Sequence, residues 1–164
     1  MRIGHTEKAA KKINLPALPK ADFNDFTLKD WSVSTFTLNR VPYFLVMSAN
    51  TYLSCIFYAK GVNDSTSFIK AMSFNLGELF DHLNHSLIYR NFIDPRSHGS
   101  TLFKSLSKSL ISNMNRRIEE MKMTERLLEL SPHEISIQLN NVPLGVLNNT
   151  TPEKQLNVVI KNGI

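Results

Sequence analysis

Residues 31–61 read WSVSTFTLNRVPYFLVMSANTYLSCIFYAKG and determine the expected architecture. They contain three short runs rich in Val, Ile, Phe, Tyr and Leu, which are residue types that favour β-strands. The runs are Val33 to Leu38, Tyr43 to Met47 and Leu53 to Tyr58. Three consecutive short strands predict an antiparallel meander, which Gly61 ends.

Within this segment, the residues from Val41 to Ala59 carry no charge and are numerous enough to be tested as a membrane span. The interior Ser-Ala-Asn-Thr sequence at 48–51 is typical of a turn, and Pro42 is unfavourable within a helix. Both halves favour β-structure. We therefore interpret the segment as two strands and expect no association with membranes.

Two helices are predicted to cover this sheet. Asp64 or Ser65 can cap the first, whose apolar positions recur every three or four residues. The second is predicted as one long helix from Thr101 to about Glu129. The apolar positions are Phe68, Met72, Leu76, Leu79 and Leu83 in the first helix, and Phe103, Leu106, Leu110, Met114, Ile118 and Met121 in the second.

The remaining segments give weaker signals. Residues 2–5 are predicted to form a strand, and a helix starts at Thr6 and ends before Pro16. Residues 86–100 are compatible with either a strand or a loop. Alternation over residues 135–139 predicts a strand, and Thr151 followed by Pro152 predicts the start of a last helix.

These elements define an α+β fold with a mainly antiparallel sheet packed by two to four helices. The length of 164 residues suits a single domain spanning 1–164.

Cys55 is the one cysteine, which excludes an intramolecular disulfide and a thiolate metal cluster and favours a reducing compartment. Residues 1–5 lack the apolar core of a secretory signal, so we expect a cytoplasmic protein.

The formal net charge of +5 suggests an acidic partner or nucleic acid. Basic residues are concentrated in the first twenty residues and in residues 104–126. A nucleic-acid-binding regulator would use the helices near 6–14 and 101–129, although the same pattern is typical of solvated helix faces. The candidate contacts are Lys8, Lys11, Lys12, Lys104, Lys108, Arg116 and Arg117.

Two other polar groups are candidate sites. Glu78, His82 and His85 share one face of a helix at a spacing that suits a metal ion or acid–base chemistry, although that face is expected to face water. Cations and donors at Arg90, Arg96, His98 and Ser100 surround a turn before a predicted helix, where an anion can bind. A solvated polar loop is the favoured explanation of that second group.

Sequence motifs for catalysis are absent. The chain has no Gly-rich phosphate loop, nucleophile elbow, zincin helix or paired-cysteine zinc motif. We assign no catalytic residue and no cofactor. A metal-dependent hydrolase or nuclease using Glu78, His82 and His85 is the least favoured of three functional hypotheses.

The order of Trp31, the strand ending Leu38-Asn39-Arg40, the segment Met47 to Thr51 and the run to Gly61 resembles an uncharacterised family of small bacterial proteins. The similarity extends to residues 112–115 and to the leading Ile3-Gly4-His5-Thr6 with its lysine-rich helix. Members of that family are often carried by plasmids, integron cassettes or genomic islands. The resemblance implies an accessory role on a mobile element and implies no activity.

The favoured hypothesis is therefore a non-catalytic accessory protein of a bacterial mobile element that acts by protein–protein binding. An edge strand or the long helix would supply the contact surface for a protein partner or a second copy of the chain. Nucleic-acid binding is the alternative. A structure that places the two basic segments side by side would favour that alternative.

Overall fold

A computed structural model describes residues 1–23, 25–124 and 129–163. Its centre is a five-stranded mixed sheet in the order β4-β3-β2-β1-β5. The strands β2, β3 and β4 form an antiparallel meander, whereas β1 pairs in parallel with both β2 and β5. The strands are β1 (Arg2–His5), β2 (Asp30–Leu38), β3 (Val41–Ser48), β4 (Ser54–Tyr58) and β5 (Thr101–Lys104).

Helices connect and cover these strands, and most of them begin at a side-chain cap. Asp64 and Ser67 form a capping box on α2, and Ser131 and Glu134 form one on α6. A π-helical turn, Tyr89–Ile93, follows α3 directly. The α-helices are α1 (Glu7–Lys12), α2 (Ser65–His82), α3 (Ser86–Ile88), α4 (Pro95–His98), α5 (Lys108–Lys122), α6 (Pro132–Asn140) and α7 (Pro152–Lys161).

Apolar side chains are buried on both faces of the sheet. On one face α1, α2 and α7 pack on the strands around Trp31, Phe44 and Phe68. On the other face α5 and α6 pack on Leu45 and Ile56. The strands of the meander therefore alternate between two cores, which explains why their sequences are apolar almost throughout.

Helix α6 covers the outer edge of β4. The Asn140 side chain accepts a hydrogen bond from the Ser54 amide at 2.7 Å and donates one to the Ser54 carbonyl at 2.8 Å. One turn earlier, Ser136 Oγ accepts from the Ile56 amide at 2.8 Å. These side chains satisfy backbone groups that would otherwise offer a pairing edge to another chain.

The α+β class and the antiparallel meander are confirmed. The uncharged stretch from Val41 to Ala59 forms β3 and β4, as predicted. The strand at 2–5, the helix starting after Thr6, the helix capped by Asp64 and the helix capped by Thr151 are also confirmed. Among the helices in the described part of the chain, none is long and apolar enough to cross a membrane.

The predicted long helix from Thr101 is wrong in its first part. Thr101–Lys104 is strand β5, which pairs with β1, and the helix begins only after Ser107, whose side chain caps it. Phe103 had matched the helical spacing because it happens to precede Leu106 by three positions. The helix ends at Lys122, and residues 125–128, over which the prediction continued, lie outside the described residues.

The predicted strand at 135–139 is also wrong, because these residues lie in α6. Ile135 and Leu139 are four positions apart and pack on one side of the helix. Residues 86–100, whose sequence is compatible with either a strand or a loop, form α3, the π-helical turn and α4 before the start of β5.

The edge cover yields a stability prediction. Replacing Asn140 with alanine leaves the buried Ser54 amide without a partner, so we expect the free energy of unfolding to fall by about 2 kcal/mol. Urea denaturation followed by circular dichroism measures the change. The matched control is Asn141→Ala, which removes one exposed bond to Ile137 and should change stability by less than about 0.5 kcal/mol. Equal losses in both variants would contradict the role of Asn140.

Candidate functional site

A groove of about 1310 Å³ lies at the end of the sheet where β1 stops. β1 ends at His5, opposite Val33, whereas β2 continues to Leu38. The amide of Thr6 makes the last backbone bond to β2, at 2.9 Å from the Val33 carbonyl. Residues 34–37 of β2 therefore line the groove instead of pairing with another strand on that side.

The groove also lies between two helices on opposite faces of the sheet. The parallel neighbours β1 and β5 end side by side at His5 and Lys104. The chain then enters α1 on one face and α5 on the other, as the separate cores around Ala9 and Leu110 show. Such a divergence leaves a crevice beyond the carboxyl ends of parallel strands, where ligands bind in open α/β sheets.

Gly4 permits the close packing that closes the floor of this crevice. A Cβ atom at Gly4 would lie 2.6 Å from both Cγ and the backbone nitrogen of Leu106. The turn after β5 thus passes directly over β1, and the Ser105 amide donates to the His5 carbonyl at 3.0 Å. A larger residue at position 4 would push the β5–α5 connection away from the groove.

Cations dominate the lining of the groove, which includes five lysines and two glutamates. The lysines come from both basic segments of the sequence: α1 supplies three, the end of β5 supplies one and the end of α5 supplies one. The sequence predicted four of them as nucleic-acid contacts and did not include the fifth, Lys122. The groove lysines are Lys8, Lys11, Lys12, Lys104 and Lys122.

Three of these lysines have partners within the fold. Lys11 pairs with Glu7 at 2.8 Å, and this hydrogen bond raises the pKa of Lys11 and lowers that of Glu7. Lys122 pairs with Glu119 at 2.9 Å. Lys12 donates to the Val62 carbonyl and to Asn63.

Lys8 and Lys104 differ from these three. Neither makes an ion pair or a side-chain hydrogen bond with the residues that the structure describes. Both side chains are exposed to solvent. They are the two groove cations that no described side chain pairs with directly, although Lys104 lies near enough to Glu7 to contribute to the lowered pKa of that carboxyl group.

His5 is the one buried titratable residue among the groove lining described by the structure. It is 1% exposed and packs edge-on against Phe68 at 5.3 Å between ring centroids. Neither ring nitrogen has a hydrogen-bond partner of good geometry among the described residues. Burial lowers the pKa of His5 to about 4, and the Ile3 backbone offsets this shift only in part. The imidazole is therefore neutral at physiological pH.

The other predicted nucleic-acid contacts lie outside the groove lining. Lys108 is exposed in the first turn of α5, and Arg116 lies 3.8 Å from Glu120 on the outer face of that helix. Arg117 is buried and donates to the Leu139 carbonyl at 2.9 Å, which joins α5 to the end of α6. Burial also lowers the pKa of Arg117. Arg117 therefore has a structural role, and its side chain is not accessible to a nucleic acid.

The candidate metal ligands do not share one helix face as predicted, because α2 ends at His82 and His85 lies beyond it. Glu78 and His82 are exposed, and His82 contacts the ring of His133 edge-on. His85 Nε2 lies 2.7 Å from Asn157 Oδ1 on α7. Among the described residues, no group of three or more His, Cys, Asp or Glu side chains is placed to hold a metal ion.

The candidate anion-binding residues are divided between several contacts. Arg96 donates to Ser73 at 2.8 Å and lies 3.6 Å from Asp94. His98 Nε2 lies 3.1 Å from the Arg90 carbonyl. Arg96 and Ser100 do share a second, shallower groove of about 520 Å³, but Arg90 and His98 do not line it.

Asp94 explains the position of Arg96. Burial alone would raise the pKa of this carboxyl group, but hydrogen bonds from Ser73, the Arg96 amide and Ser97 lower it. Tyr89 also donates to the Ser73 carbonyl at 2.7 Å. This network fixes the π-helical turn and α4 against α2, a structural role that accounts for the charge of Arg96.

Fold and groove together define an α+β protein with a basic crevice at the carboxyl ends of its parallel strands. The chain belongs to the DUF6933 family, a domain of unknown function, which it matches over residues 2–155. No curated protein matches the chain. The expectation of an uncharacterised family is thus confirmed.

The neutral state of His5 predicts acid sensitivity. The unfolded chain binds a proton near the ordinary histidine pKa of 6.5, whereas the folded chain binds it only near pH 4. Stability is therefore fully present above about pH 6.5 and decreases as the pH falls towards 4. We expect His5 to lower the free energy of unfolding by about 2 kcal/mol between pH 7 and pH 5.

Urea denaturation at several pH values measures this dependence. His5→Phe preserves an aromatic contact with Phe68 and should lose the His5 contribution to the slope. The control His98→Gln changes an exposed histidine and should retain the wild-type slope. A wild-type slope in His5→Phe would show that the buried imidazole is not the cause.

Proposed function

We propose that this protein binds single-stranded nucleic acid through the basic groove. One observation supports the proposal above the others: the two basic segments, about a hundred residues apart in the sequence, line the same crevice. Solvated helix faces would require no such convergence. Cations gathered along a groove attract the phosphates of a nucleic-acid backbone and release its counterions on binding.

The shape of the groove favours a single strand over a duplex. The lysines line a concavity between α1 and α5, whereas a recognition helix presents its contact residues along one face that enters the major groove. Hydroxyl and amide groups of Ser34, Thr35, Thr37 and Asn115 also line the groove. These groups supply hydrogen bonds to phosphate or sugar oxygens without specifying a base sequence.

The protein-binding hypothesis has less support. Its edge-strand version is limited to the four residues of β5, because α6 already covers the other edge strand, β4, through Ser136 and Asn140. An accessory role on a bacterial mobile element, with action in the cytoplasm, stays part of the proposal.

The two unpaired groove lysines provide the test. We expect the double variant Lys8→Gln/Lys104→Gln to bind a fluorescein-labelled single-stranded oligonucleotide more weakly than wild type. Fluorescence anisotropy titrations at several salt concentrations measure the affinity. Each lost phosphate contact should reduce the slope of log affinity against log salt by about 0.7, so the double variant should lose about 1.4.

The matched control is Lys154→Gln/Lys161→Gln, which removes the same charge from α7, outside the groove. It should retain the wild-type slope, and both double variants should retain the wild-type urea midpoint. If the two double variants weaken binding equally, the attraction comes from net charge and the groove is not the site. A preference of wild type for duplex DNA over the single strand would contradict the single-strand proposal.

A further inference from the structure

Three aromatic rings form a ladder across the sheet beside the basic groove. Phe36, Tyr43 and Tyr58 occupy paired positions on β2, β3 and β4. The centroids of Phe36 and Tyr43 are 5.5 Å apart with ring planes at 21°, and those of Tyr43 and Tyr58 are 5.2 Å apart at 30°. Phe36 and Tyr43 are thus stacked, and the ring of Tyr58 is tilted against that of Tyr43.

One end of the ladder, Phe36, lines the groove, and the other end, Tyr58, is exposed to solvent. Phe36 lines the groove and is 8% exposed, as is Tyr43, whereas Tyr58 is 51% exposed. The residue after Tyr58, Ala59, also lines the groove. Tyr58 is not itself part of the groove lining, but its register places it two strands from Phe36, at the same end of the sheet.

Packing of the core does not explain why the Tyr58 ring is exposed to solvent. Burial of a tyrosine ring is favourable, and the cross-strand position of Tyr58 is held already by its contact with Tyr43. Because the ring of Tyr58 packs at a tilt against Tyr43, this contact restricts its orientation before any ligand arrives. A pre-oriented aromatic ring next to a cationic groove matches the way in which proteins hold single strands, with phosphates on cations and bases on rings.

We propose that Tyr58 stacks on a nucleobase of the strand whose phosphates occupy the basic groove. The inference rests on the proposed function and adds the part of the ligand that the lysines cannot recognise. The neighbouring positive charge determines the occupant, because an apolar peptide would gain nothing from five lysines, whereas a nucleotide carries both a flat ring and an anion. Binding would then depend on the bases and not on phosphate charge alone.

The test compares two labelled strands of equal length and charge, one of thymidine nucleotides and one of abasic nucleotides. We expect wild type to bind the thymidine strand about tenfold more tightly, since stacking of a base on an aromatic side chain typically contributes that much or more. Tyr58→Phe retains the ring and should retain the preference. Tyr58→Leu retains an apolar side chain against Tyr43 and should bind both strands equally.

The outcomes separate the two proposals. Equal binding of both strands by wild type would overturn base stacking while leaving the phosphate groove intact. A tenfold preference that persists in Tyr58→Leu would place base recognition elsewhere and overturn the role of Tyr58. Binding of neither strand would overturn both proposals.

A spectroscopic measurement on the wild-type protein covers the case in which Tyr58→Leu fails to fold. The ring protons of Tyr58 should move upfield in NMR spectra when the thymidine strand is added, because a stacked base shields them, and should not move with the abasic strand. Unchanged Tyr58 signals at saturating thymidine strand would overturn the proposal without any variant.

Discussion

The shortness of β1 is the constraint from which the candidate site follows. Its four residues pair in parallel with both neighbours, so β1 and β5 end at the same level while β2 continues past them. A longer β1 would fill the groove with backbone. Gly4 makes the arrangement possible, because the turn at Ser105 and Leu106 lies against the strand where any side chain would collide.

Some of the positive charge in the groove is neutralised by ion pairs within the fold, and the rest can interact with a ligand. Glu7 and Glu119 each pair with a lysine of their own helix, which limits repulsion among the five lysines. Exposed pairs of this kind contribute little to stability, and an incoming phosphate can displace them at low cost. Because His5 is neutral, it adds no charge to the floor, and its unpaired nitrogens make it a weak point of the fold.

The sequence predicted the meander and helix α2 well, because their residues alternate or recur with clear periods and begin at recognisable turns and caps. It failed at α6, where Ile135, Ile137 and Leu139 alternate like a strand. The capping box of Ser131 and Glu134, with Pro132 at the first helical position, was present in the sequence and is the local signal that decides for a helix. Strand β5 was missed because its half-buried side chains continue the apolar spacing of the following helix.

The position of the groove could not be predicted from the sequence, for a different reason. The basic character of α1 and of the segment from Lys104 is visible in the composition, but their meeting depends on the parallel pairing of β1 with β5, which no local pattern encodes. The same holds for the aromatic ladder, since Phe36, Tyr43 and Tyr58 are aligned by the register of three strands.

Amide chemical-shift mapping with a single-stranded oligonucleotide tests the central claim most directly. Shifts confined to residues 5–12, 34–37, 58–59, 104–105 and 111–122 would agree with the groove as the binding site, whereas shifts centred on α6 or α7, or none at all, would contradict it.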